Sequence, residues 1–160
     1  WNVLLEVVQS VLARTRRLTS EHQIVVDVPD DLPLVPLAFV QMGQVFTNLL
    51  SNSVKFAPPG TKVRLRASVQ DPAQMLIQVS NQGPPVPEAH LQGIFDRFHE
   101  MPALGRAAGT GLGLSICKAI IEAHDGRIWA ENLEDGFAFN FTLPLQMDGA
   151  SPQQLPQEEA

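Results

Sequence analysis

The chain has 160 residues, 44% of them hydrophobic, and a formal net charge of −6. That is enough for one folded domain with a real core, and it excludes a chain disordered throughout. The negative balance argues against a broad nucleic-acid footprint but leaves room for a small cationic pocket that takes an anion.

Cys117 is the only cysteine, so no internal disulfide can form, and a reducing, cytoplasmic setting fits. No apolar run reaches the roughly 18 residues of a membrane span, and the sequence as read carries no signal-peptide pattern. No direct membrane contact is therefore expected. The chain opens inside an amphipathic segment, which leads to the expectation that it is cut from something longer.

In chain order, Val3, Leu4, Val7, Val8, Val11, Leu12 and Leu18 carry helical spacing. "QIVVDVP" predicts a short strand stopped by Pro29. Residues 30 to 38 hold two prolines, with Pro29 just before them, and predict a connector or a short edge strand. "VQMGQVFTNLLSNSVKFA" predicts a second helix with a core stripe of Met42, Val45, Phe46, Leu49, Leu50 and Ser53, closed by Pro58-Pro59-Gly60.

"TKVRLRASVQ" and "MLIQVSN" alternate as strands about a turn at Asp71-Pro72. "PEAHLQGIFDRF" predicts a short helix from Pro87, and residues 99 to 110 a mobile loop. "LGLSICKAIIEAH" predicts a helix ended by Asp125-Gly126, and "RIWAENL" with "FAFNFTLPL" a closing hairpin about Glu134-Asp135-Gly136. From Gln146 onward a disordered tail is expected, which bounds the domain at residues 1 to 145. Strands interrupted by helices predict an α+β two-layer sandwich: a mixed sheet of about five strands packed on three helices.

Several short stretches could carry chemistry. Asn48 and Asn52 lie four apart on the second helix and stack at the border of its core stripe, with Lys55 continuing the polar row. Two amides beside a lysine suit a hydrated divalent cation and the phosphates it bridges, since magnesium keeps several waters. A solvated polar flank fits the same row. Asn81 ends a strand before Gly83-Pro84-Pro85, either as a plain turn or as a side chain reading the edge of a base. Phe95 and Phe98 flank Asp96-Arg97 and also fit an ordinary core. Gly109, Gly111 and Gly113 lead into a helix at Leu114. A helix N-terminus there would favour an anion by ~0.3–1 kcal/mol per charge.

In order and spacing these pieces resemble the ATP-binding domain of sensor histidine kinases, the fold shared with gyrase, Hsp90 and MutL ATPases. "QVFTNLLSNSVKFAPPG" is similar to the family's N box, "IFDRF" to its F box and "GTGLGLSI" to its second glycine box. The resemblance runs from about Trp1 to Leu145 and implies ATP and Mg²⁺ as cofactors. It implies Asn52 as the main magnesium ligand, through its amide oxygen, with Asn48 beside it at the metal and phosphates. Lys55 and Arg97 would face phosphates, joined by Arg106 on a lid that closes over the triphosphate. Gly109, Thr110, Gly111, Leu112, Gly113 and Leu114 would supply close backbone approach, and Asn81, Gly83 and Val86 the base side. The γ-phosphoryl would pass to a histidine on a dimerisation domain. A response regulator would lie downstream, and the full-length protein would be a homodimer. Relatives that hydrolyse ATP place Glu at the position of Asn48; an amide cannot accept that proton, so a kinase fits better than an ATPase.

Three departures from the family stand out. Its first glycine box usually reads Asp-x-Gly-x-Gly, but here it is Asn81-Gln82-Gly83-Pro84-Pro85. The last strand usually opens Gly-Thr or Gly-Ser, but here it is Gly136-Phe137, without the small hydroxyl. None of His22, His90, His99 and His124 sits in a phosphoacceptor box, so the acceptor is expected outside the chain, and His99 is expected in the lid. His124 is placed in a helix C-terminal turn, where a cation is favoured. Two alternatives keep the same fold: a degenerate nucleotide-binding or scaffolding module, and a serine kinase of the anti-sigma-factor type.

Overall fold

The computed structural model describes residues 3–91, 93–96 and 113–145. Its elements run α1 (Leu4–Arg14), β1 (Gln23–Asp27), α2 (Phe39–Phe56), β2 (Lys62–Asp71), β3 (Gln74–Gln82), α3 (Glu88–Leu91), α4 (Gly113–Ala123), β4 (Ile128–Asn132) and β5 (Gly136–Pro144). The five strands form one mixed sheet in the order β1-β2-β3-β5-β4. Only β1 and β2 run parallel; the other neighbours are antiparallel. α2 and α4 pack on the sheet and on each other, and α1 packs on α2. This is the expected α+β sandwich.

Period two sets the sheet's inner face. Met75, Ile77, Val79 and Asn81 of β3 point inward beside Phe141, Phe139 and Phe137 of β5, and all are buried. From the helices come Val7, Val8 and Val11 of α1, Val45, Phe46, Leu49 and Leu50 of α2, and Cys117 and Ile121 of α4. Each fully buried side chain of this kind contributes roughly 1.5–3 kcal/mol relative to exposure. Packing rather than capping holds the helices, since neither α1 nor α2 has a side-chain N-cap.

Local chemistry moves several boundaries. α1 stops at Arg14 rather than reaching Leu18, where the buried hydroxyl of Thr15 turns back to Val11 O at 2.8 Å. Between residues 30 and 38 only Val35 forms a bridge, because the prolines withhold ladder donors. The predicted helix from Pro87 shrinks to Glu88–Leu91, and Phe95 reaches the core from a separate turn closed by Asp96 N to Gly93 O at 3.0 Å. α4 ends on Asp125, whose φ of 60° makes it, rather than Gly126, the left-handed residue.

Among the described residues, no helix is long and apolar enough to cross a membrane. The tail from Gln146 lies outside the described residues.

Candidate functional site

Helical spacing puts Asn48, Asn52 and Lys55 on the flank of α2, all half-buried. Asn48 donates from Nδ2 to Gly113 O at 3.2 Å, which ties this flank to the first residue of α4. Asn52 donates from Nδ2 to Asn48 O at 2.8 Å. Each amide thus commits its NH₂ to a carbonyl, which leaves the side-chain oxygen, the atom able to ligate a hard cation. Two such oxygens beside a lysine fit a magnesium ion that keeps most of its waters.

The side of α2 that faces α4 is braced at two further points. At its start, Ala38 N donates to His124 Nε2 at 3.0 Å, and His124 Nδ1 lies 2.8 Å from Ile120 O. Since Nε2 accepts, Nδ1 carries the proton and the ring is the neutral tautomer. This corrects the expectation of a cation at that helix end: a second helix needs an acceptor there. Near the middle, the Cys117 thiol lies 3.7 Å from Val45 O. Burial pushes that thiol up to about 12, opposed more weakly by hydrogen bonds from Asn48 and its own backbone. The thiol stays protonated and is structural.

At the end of β3, Asn81 closes the strand's inward row and is 4% exposed. Its Nδ2 donates to Gln82 O at 3.1 Å, and its Oδ1 is buried without a partner. Gly83 follows with φ 146°, and a Cβ there would stand 3.0 Å from Phe56 O and 3.3 Å from Pro58 Cδ. No other residue brings β3 this close to the end of α2. Val86 is buried and clamped by Asn132, which accepts from Val86 N and donates to Val86 O, both at 2.8 Å.

Phe137 is fully buried, 4.9 Å and edge-on to Phe139 and 6.2 Å from Phe56. It serves the core rather than restoring the missing hydroxyl. Phe95 packs edge-on against Phe139 at 6.2 Å, the core alternative left open for it.

The structure therefore places Asn48, Asn52 and Lys55 along the flank of α2, with Asn48 tied to Gly113, and Asn81, Gly83 and Val86 at and just after the end of β3, where Gly83 approaches Phe56. Leu114 is buried in the first turn of α4. Arg97, Phe98, His99, Arg106, Gly109, Thr110, Gly111 and Leu112 lie outside the described residues. Two residues escaped the sequence reading as parts of the site: Asn132, which no pattern announces, and Ser53, whose signal was a hydroxyl inside an apolar stripe.

A mixed sheet with its helices on one face, and an amide row on the long helix facing a glycine-led helix start, defines an ATP-binding sandwich. Residues 39–147 match the histidine kinase-, DNA gyrase B- and HSP90-like ATPase family, and the chain belongs to that family. Among curated proteins it is 34% identical over 144 residues to the adaptive-response sensory kinase SasA of Synechococcus elongatus, covering 89% of this chain and 37% of that protein. It is also 34% identical over 145 residues to the sensor protein KdpD of Clostridium acetobutylicum, covering 89% of this chain and 16% of that one. The chain thus spans well under half the length of these curated relatives.

Among solved structures, the mycobacterial sensor histidine kinase MprB superposes with TM-score 0.81 at 29% identity, covering 88% of this chain and 95% of that one. The histidine kinase ThkA in complex with the response regulator TrrA gives TM-score 0.75 at 27% identity, covering 96% of this chain and 42% of that one. The chain is a catalytic domain of the histidine-kinase type.

Proposed function

We propose that this domain binds Mg-ATP and transfers the γ-phosphoryl to a histidine on a dimerisation domain outside residues 1 to 160. The observation that carries this reading is the pair of amides on α2, each held by a carbonyl at 3.2 or 2.8 Å so that its oxygen is left for a cation. A magnesium ion there would neutralise charge on the phosphates. Asn52 would be its main ligand and Asn48 its neighbour, with Lys55 and Arg97 facing phosphates. The segment from Gly109 to Leu114 would wrap the triphosphate against the start of α4, joined by Arg106. Asn81, Gly83 and Val86 would hold the base.

The protein's share is positioning and electrostatics, which is what phosphoryl transfer requires. Asn48 has no basicity with which to activate water, so transfer is favoured over hydrolysis. On this reading the domain works in the cytoplasm, within a homodimer, with a response regulator downstream as in the ThkA–TrrA pair.

Incubated alone with labelled ATP, the chain is expected to stay unlabelled. Adding a helical phosphoacceptor hairpin of a sensor kinase should produce acid-labile phosphate on the hairpin. Acid-labile phosphate on His99 of the isolated chain would overturn the assignment of the acceptor.

A further inference from the structure

Three of the five residues from Gly83 to Pro87 are prolines, so the segment has only two backbone N–H groups. Both go to the β4–β5 hairpin. Gly83 N donates to Asp135 O at 3.1 Å, and Val86 N donates to Asn132 Oδ1 at 2.8 Å. Asn132 also donates from Nδ2 to Val86 O at 2.8 Å. One side chain thus exchanges both hydrogen bonds with one residue, as facing residues of an antiparallel pair do. The hairpin that offers these partners is itself closed by Leu133 N to Gly136 O at 2.8 Å, and Gly136 stands in register with Gln82, the residue before the segment.

Between these two anchors the chain has little freedom. Pro84 and Pro85 have φ fixed by their rings, and each proline restricts the residue before it, which covers Gly83, Pro84 and Val86. Pro84, Pro85 and Pro87 are exposed, whereas Val86 is buried and joins the core. An exposed connection of this length is ordinarily mobile. This one is pinned at both ends, with its torsions restricted and its one apolar side chain buried.

We propose that Asn132 is a positioning residue which, with Pro84 and Pro85, presets the Gly83–Val86 wall of the nucleotide site in its bound shape, so that binding does not have to order it. This rests on the nucleotide-binding function proposed above. Pro85, which stands where the first glycine box usually has its second glycine, then stiffens the wall rather than impairing the site. A glycine there would leave the ordering cost to the binding step.

The test is amide hydrogen exchange at Val86 with and without Mg-ATP, together with calorimetric titration of Mg-ATP, on wild type, Asn132→Ala and Pro85→Gly. In wild type the Val86 amide should be protected without nucleotide, and Mg-ATP should add little. Both variants should lose that protection without nucleotide and regain it when ATP binds. ATP affinity should fall about tenfold in Asn132→Ala and about two- to fivefold in Pro85→Gly. A residue that only stabilised the fold would lower Tm and leave the ATP affinity of the folded protein unchanged. Pro85 is exposed, so Pro85→Gly decides the matter even where Asn132→Ala fails to fold. Three results overturn the proposal: a Val86 amide unprotected in nucleotide-free wild type, unchanged or tighter ATP binding in either folded variant, or a loss of protection that ATP does not restore. A wild type protected at Val86 that binds no ATP defeats the function proposed above instead.

Discussion

The polar flank of α2 and the buried end of β3 are built on opposite plans. On the flank of α2, Asn48, Asn52 and Lys55 are half-buried, and each amide is already oriented by a carbonyl. At the end of β3, Ser53 and Asn81 are 0% and 4% exposed, with an oxygen left unpaired on each. The difference follows from what each end is to meet. A triphosphate with its hydrated cation brings water along, so that end can stay wet and needs only ligands aimed in advance. The edge of a base can shed its water on binding, so its partners can be dry, and dryness strengthens each hydrogen bond.

Asn52→Ala is expected to have the largest effect. It removes an amide oxygen from the wet end but only one hydrogen bond, made to its own helix. Calorimetry should find Mg-dependent ATP binding lost, while stability changes by no more than about 0.5 kcal/mol. Unchanged affinity in the mutant would remove Asn52 from the metal site. A large stability loss would make the two ends alike, both held by buried polar groups.

Asn81→Asp probes the dry end and should act less strongly. A freely flipping amide would accept from adenine in one orientation and donate to guanine O6 in the other. The contact to Gln82 O holds it in the adenine orientation. The ATP-to-GTP affinity ratio should therefore be large already, and aspartate should not widen it. The mutant also turns a carboxylate oxygen toward Gln82 O in a buried site, which should cost about 1–3 kcal/mol of stability. Competition titration of both nucleotides decides. A wider ratio in the mutant means that the amide turns over.

The wet end was legible in the sequence and the dry end was not. Asn48, Asn52 and Lys55 announce themselves because helical spacing alone puts them on one flank. β3 and β5 were equally plain from their alternation. Asn81 read as a turn residue or a base contact, and only its register with Phe137 and its hydrogen bond to Gln82 O show which atom is left open. Ser53 was placed correctly in the core stripe, but a stripe does not say whether a hydroxyl is satisfied. Asn132 and His124 act on segments 46 and 86 residues away, and no local pattern reports such a brace. His124 read as a favourable helix-end cation until the donor facing it, Ala38 N–H, required a neutral ring.

Cys117 gives the smallest effect and sharpens the contrast from beneath. It lies under the wet end, where the Asn48 side chain reaches its thiol, yet burial dominates and pushes the thiol from 9.0 up to about 12. The unfolded chain loses this proton near pH 9, while the folded chain holds it to about pH 12. Its contribution to stability is therefore complete below pH 9 and declines as pH rises from 9 toward 12, by at most about 1.4 kcal/mol per pH unit. Denaturant unfolding of wild type and Cys117→Ala across that window isolates the term, since other groups titrating there are common to both. The wild type should lose stability more steeply with pH, and a thiol reagent at pH 8 should react only as fast as the chain unfolds. Parallel slopes and rapid labelling of the native protein would mean that the polar flank lets water through to the core, and that the wet end is deeper than the hydrogen bonds of Asn48 indicate.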